Sequence, residues 1–134
     1  MLDITILEEM IMDVTRTIGQ ERRAALARSI ADYMGAHMER HVTINELSAI
    51  FHASPTQIKN AFRETFSSSV YAYSRVMKME AAADLLAATD RTILDIASTL
   101  GYDNGSKFAA AFRAVMGVTP TEYRASQKGR SKVS

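Results

Sequence analysis

Two stretches, Thr43-Ile44-Asn45-Glu46-Leu47-Ser48 and Thr92-Ile93-Leu94-Asp95-Ile96-Ala97, lie over each other at an offset of 49, and each opens a longer segment of one design. In the first, Thr43 stands at an N-cap with Glu46 three residues on, the capping-box arrangement that satisfies free backbone N–H groups. Ile44, Leu47 and Ile50 then share one helix face. His52, Ala53 and Ser54 break this helix before Pro55, whose fixed φ suits the first position of a second helix, capped by Ser54 and running to about Phe66. Ile58, Ala61 and Phe62 form the apolar face of that helix, while Thr56, Lys59, Asn60 and Arg63 point elsewhere. Further on, Phe108 and Phe112-Arg113 match Ile58 and Phe62-Arg63 at an offset of 50, one extra residue having entered the turn Gly101-Tyr102-Asp103-Asn104. Cap, spacing, turn and terminal Phe-Arg all recur, so the sequence predicts two helix-turn-helix units, at about 43–66 and 92–116.

The surroundings extend the same reading. Ser67-Ser68-Ser69 can start a helix that carries Tyr73, Met77, Ala82, Leu85 and Leu86 to about Ala88, long enough to join the two units. Upstream, Leu26, Ala27, Ile30, Ala31, Met34 and Met38 predict a helix over about 21–39. With 8 Met, 2 Pro and 6 Gly in 134 residues, 47% hydrophobic and 23% charged, the composition favours one packed all-α domain over a disordered or collagen-like chain. No cysteine is present, which removes disulfides, thiolate nucleophiles and Cys-based zinc sites. No apolar run is long enough for a membrane span.

Charge singles out the second helix of each unit. The net value of +1 divides into −2 for residues 1–27, −1 for 28–53, +3 for 54–78, −4 for 79–106 and +5 for 107–134. The two basic segments contain the second helices, which in a DNA-binding helix-turn-helix enter the major groove while neighbouring cations hold phosphates. Stacked helix pairs also build protein-binding solenoids, but those need about three or more repeats to bury their faces. A non-catalytic helical protein-interaction module is the alternative.

Several of these motifs occur together in one known family. Ile44-Asn45-Glu46-Leu47-Ser48, Phe62-Arg63, Tyr73, Lys78-Met79-Glu80, and above all Asp95-Ile96-Ala97, Gly101-Tyr102, Phe112-Arg113, Gly117-Val118-Thr119-Pro120 and Tyr123-Arg124 make residues 27–126 resemble the DNA-binding domain of the AraC/XylS bacterial transcription regulators. The resemblance implies a seven-helix, homeodomain-like domain over 28–126, with two helix-turn-helix units on a long connecting helix. Three departures stand out. Ser67 and Val70 replace a frequent Gly and Pro, so a different backbone is expected at that turn. Lys78 replaces an Arg, losing planar bidentate geometry. Ala109, Ala110 and Ala111 fill a run that in relatives often carries longer polar side chains.

Thr56, Lys59 and Asn60 are therefore expected to supply most base discrimination, Lys suiting guanine and Asn adenine. Ser106, Lys107, Ala109 and Ala110 are the base-facing set of the second unit, where an alanine methyl can meet a thymine methyl. Arg63 and Arg113 are read as phosphate clamps, and Ser54 and Asn104 as caps with secondary phosphate contact.

Catalysis has no foothold: there is no Gly-rich phosphate loop and no nucleophile motif. His37 and His41 stand four apart, as helical metal ligands can, but no Glu follows His37 to complete a zinc motif. Neither a metal nor another cofactor is expected. Residues 1–27 read as an acidic amphipathic helical extension or linker, and 127–134 as a disordered basic tail. The expected partners are double-stranded DNA, RNA polymerase during activation, and a second copy through the N-terminal helix or a missing N-terminal domain. The chain is either a free-standing regulator or a fragment beginning near a linker, in the bacterial cytoplasm at the nucleoid.

Overall fold

The computed structural model describes residues 3–133, with side chains to Gly129; the remaining residues of the expected extension and tail lie outside the described set. Within it the chain is all-α: α1 Ile4–Ala36, α2 Ile44–Phe51, α3 Pro55–Phe66, α4 Val70–Ala88, α5 Ile93–Thr99, α6 Gly105–Met116 and α7 Pro120–Val133. No described helix is long and apolar enough to cross a membrane.

Short polar side chains set the starts. Thr43, Ser54, Ser69, Thr92 and Thr119 each accept the backbone N–H three residues on at 3.1 Å, and Asn104 does so at 2.8 Å. The complete capping box is at Ser54, where Gln57 Oε1 accepts the Ser54 N–H at 2.8 Å. The one expected at Thr43 is half made. Glu46 instead turns its carboxylate to the Arg40 guanidinium, with two bonds of 2.7 Å, and accepts the Tyr33 hydroxyl at 2.9 Å. A bidentate charged partner outcompetes a single backbone N–H.

The helical extension read over 1–27 and the helix read over 21–39 are one element, α1, continuous from Ile4 with no Pro to interrupt it. Only Ala27, Ile30, Ala31 and Met34 of this helix are buried. It stops at Ala36 rather than near Glu39, so His41 lies beyond it and the His37/His41 spacing is not a helical one. Among the described residues no group of three His, Asp or Glu could hold a metal. Residues 127–133, expected as a disordered tail, continue α7.

Two separate cores result. Ala27, Ile30, Leu47, Ile58, Phe62 and Val70 pack in the first, and Met79, Leu86, Ile96, Leu100, Phe108 and Phe112 in the second. α4 belongs to both, giving Val70 and Tyr73 to one and Met79, Ala82, Ala83 and Leu86 to the other. The structure also lengthens the repeat. Beyond Phe62/Phe112 it runs on at the same offset through Ser67/Gly117, the caps Ser69/Thr119, the buried Val70/Pro120, and Tyr73/Tyr123. Phe62 meets Tyr73 edge-on at 5.3 Å between centroids and Phe112 meets Tyr123 at 5.6 Å. The inserted residue is Asp103, since the Ala53 N–H to Ser48 carbonyl bond recurs as Tyr102 to Ala97.

Left-handed turns recur as well, with different residues. His52 and Ser67 hold φ of 52° where the second unit has Gly101 at 81° and Gly117 at 84°. Ser67 thus keeps the glycine-like conformation despite its side chain, contrary to the altered turn expected there. Gly101 is doubly constrained, because a Cβ on it would lie 3.0 Å from the Glu39 carbonyl oxygen and 3.1 Å from Arg40 Cα. This is the seam between the units. Lys78, buried in it, donates from Nζ to the Arg40 carbonyl at 3.1 Å. One carbonyl needs one donor, so the planar geometry of arginine is not required. Arg124 closes the other end of α4, donating to the Leu86 and Thr89 carbonyls at 3.1 and 3.2 Å.

Gly101→Ala is expected to lower unfolding free energy by about 2 kcal/mol or more, from the left-handed φ and the backbone contact together. Ser67→Gly is expected to raise it by roughly 0.5–1 kcal/mol; urea denaturation of both variants checks the contrast. The Arg40 guanidinium and Tyr33 hydroxyl pull the Glu46 carboxyl down to about 2. A lowered folded-state pKa contributes stability above the unfolded value near ~4.3 that is lost as pH falls toward the folded one. Glu46→Gln should therefore destabilise at pH 7, with the gap to the native protein narrowing from pH 5 downward in urea titrations.

Candidate nucleic-acid interface

Burial sorts the second helix of each unit into two faces. In α3, Ile58, Ala61 and Phe62 are buried, while Thr56, Lys59, Asn60 and Arg63 are exposed. In α6, Phe108 and Phe112 are buried, and Ser106, Lys107, Ala110 and Arg113 are exposed. Ala109, at the place of Lys59, is only half exposed, so the second helix offers a smaller and flatter polar face than the first. The cause is local: the ring that anchors each helix points inward, and residues two or three positions before it point out.

The outward residues of α3 diverge. Lys59 and Arg63 border a recess of about 180 Å³ shared with Ile44, Ser69 and Tyr71. Asn60 faces the other way, into an open groove with Arg22, Arg23 and Gln57, between α1 and α3. Arg23 is tied to Glu64 through two hydrogen bonds of 2.7 and 3.2 Å, which raises the guanidinium's pKa and lowers that of the carboxyl. Arg22 is the other cation of α1 that lines this groove. Sequence reading missed Arg22 and Tyr71 because their proximity to α3 is set by helix packing, with no periodicity to signal it.

Ser54 and Asn104 occupy equivalent N-caps, each with its side-chain oxygen engaged by its own helix. Arg63 and Arg113 occupy equivalent last turns. Their carbonyls accept the N–H of the left-handed cap at 2.9 and 2.8 Å, so both side chains leave the domain at the same point of the repeat. Backbone N–H groups at two helix starts, with a cation at each helix end, form an arrangement that can hold anions on either side of a polar face.

Known proteins share this architecture. A family described as "Helix-turn-helix domain" matches residues 47–126, more than half of the chain. The chain is similar to the HTH-type transcriptional regulator ArgR of Pseudomonas aeruginosa, at 24% identity, over 92% of this chain and 41% of that protein. Among solved structures it is similar to the C-terminal domain of AraT, a response regulator from Geobacillus stearothermophilus. The TM-score is 0.73 at 28% identity, covering 75% of this chain and 84% of that one. The DNA-binding domain of the global transcriptional factor AdpA, solved with a target DNA, shares the fold with a TM-score of 0.73 at 20% identity, covering 78% and 94%. The chain spans less than half the length of the curated relatives it matches. The duplicated unit, the seven-helix order and the matched span place the chain in the AraC-type helix-turn-helix family, whose members include transcriptional regulators.

Proposed function

We propose that the chain is a sequence-specific DNA-binding transcriptional regulator that sets α3 and α6 into two successive major-groove segments. The observation that carries this reading is the matched pair of second helices, each with a buried phenylalanine at the equivalent position, Phe62 and Phe112, and each presenting an exposed face that ends in arginine. Thr56, Lys59 and Asn60 read bases in one segment; Ser106, Lys107, Ala109 and Ala110 line the other. Arg63, Arg113, Ser54 and Asn104 hold phosphates. With Ala at two of the four reading positions, the second unit contributes grip more than discrimination. The reading places the protein at the bacterial nucleoid, activating through contact with RNA polymerase, and assigns it no catalysis.

A second copy of the chain joins through α1. Ile4, Leu7, Ile11, Val14 and Ile18 are all exposed and fall at alternating spacings of three and four, a heptad seam with β-branched residues at each a position and Leu or Val at d. That choice favours parallel two-stranded coiled coils.

Replacing Lys59 and Asn60 with Ala should relax sequence preference, each lost base contact costing about 1–3 kcal/mol on the preferred duplex. Arg63→Ala or Arg113→Ala should weaken binding to every duplex alike and reduce the salt slope by about one each. Selection from a random pool, followed by affinity measurements at stated salt, checks both, and equal loss on all sequences for the first pair would contradict the base-reading roles. In sedimentation across concentration the native chain should show a reversible dimer that Ile11→Glu abolishes; a monomer throughout would exclude the α1 interface.

A further inference from the structure

Arg75 of α4 makes no ion pair or hydrogen bond among the described residues, and its Nε–H is buried without an acceptor. Buried donors are almost always paired, because an unpaired one keeps the full desolvation cost. The guanidinium lies 6.0 Å from the centroid of the exposed Tyr71 ring and borders a cleft of about 300 Å³ with His41, Thr43, Ser74 and Tyr102. Lys78 lines the same cleft, but its ammonium is already spent on the Arg40 carbonyl.

The position of the cleft narrows the ligand. Ile44, Val70 and Tyr71 line both it and the recess that holds Lys59 and Arg63, so its surface continues the outward surface of α3. Its far wall, Gly101 and Tyr102, is the turn of the second unit. No Asp or Glu lines either recess. A duplex that meets α3 and α6 in successive major-groove segments carries backbone between those segments, opposite the helix that joins the two units. Nε is closed off inside the fold, so the donors a ligand can reach are the Nη groups, which can meet two oxygens of a phosphate while the ring beside them holds the plane in place.

We infer that Arg75, held against Tyr71, binds a phosphate of the DNA backbone between the two major-groove segments, a third grip in the middle of the site. This rests on the DNA-binding reading above. The test uses the 134-residue chain and a duplex recovered by selection from a random pool. Arg75→Ala should lose roughly ten-fold in affinity on that duplex and on an unrelated one, with the salt slope reduced by about one. Arg75→Lys should keep the slope and lose part of the affinity. Phosphate ethylation interference with the native protein needs no variant, and should show a blocked position between the two protected major-groove segments. Unchanged affinity and slope for Arg75→Ala, while Arg63→Ala loses both, would overturn the inference and leave the DNA reading standing. So would loss of inorganic phosphate binding by Arg75→Ala with duplex affinity intact, or interference confined to the flanks of the two segments. Failure of the native chain to bind any selected duplex would overturn both readings together.

Discussion

The edge-on contact of a buried phenylalanine with a tyrosine one helix later, made once in each unit, governs the rest of the structure. Phe62 and Phe112 are fully buried, and Tyr73 and Tyr123 come from the helices that follow. An aromatic ring fixed on two sides fixes the rotation of its helix, since swinging it out would both expose a large apolar surface and break the pair. Once the rotation is set, the outward residues follow from 3.6 residues per turn. Lys59, Asn60 and Arg63 are placed by Phe62, and Ala110 and Arg113 by Phe112.

Duplicating that device is not sufficient for a two-site reader, because the copies must also be held in register. α4 does this by entering both cores, and the seam beside it removes play. Gly101 lets the second unit's turn lie against the Glu39–Arg40 backbone, Lys78 ties α4 to the same backbone, and Arg124 anchors α7 to the end of α4. These contacts join backbone to backbone or charge to carbonyl.

The units are alike in frame and unlike in face. Caps, left-handed turns, aromatic pairs and terminal arginines repeat, but Lys59 and Asn60 become Ala109 and Ala110. A frame under common packing constraints diverges little, whereas exposed positions contribute little to stability and are open to change. His52 and Ser67 keep side chains in left-handed turns, whereas at Gly101 the Glu39–Arg40 backbone leaves no room for a Cβ.

Local signals determined much of this protein in advance. Thr43, Ser54, Thr92 and Asn104 marked helix starts, the Phe-Arg pairs marked the repeat, and charge marked the second helices, because capping, periodicity and charge act over a few residues and are written in order along the chain. Tertiary structure decided what depends on approach between distant segments. Glu46 left its backbone partner for Arg40 and Tyr33, α1 ran unbroken past residue 27, and Arg22, Tyr71 and Arg75 came beside α3 and the seam. No spacing in the sequence announces those neighbours, since they exist only after two cores have formed and α4 has been shared between them.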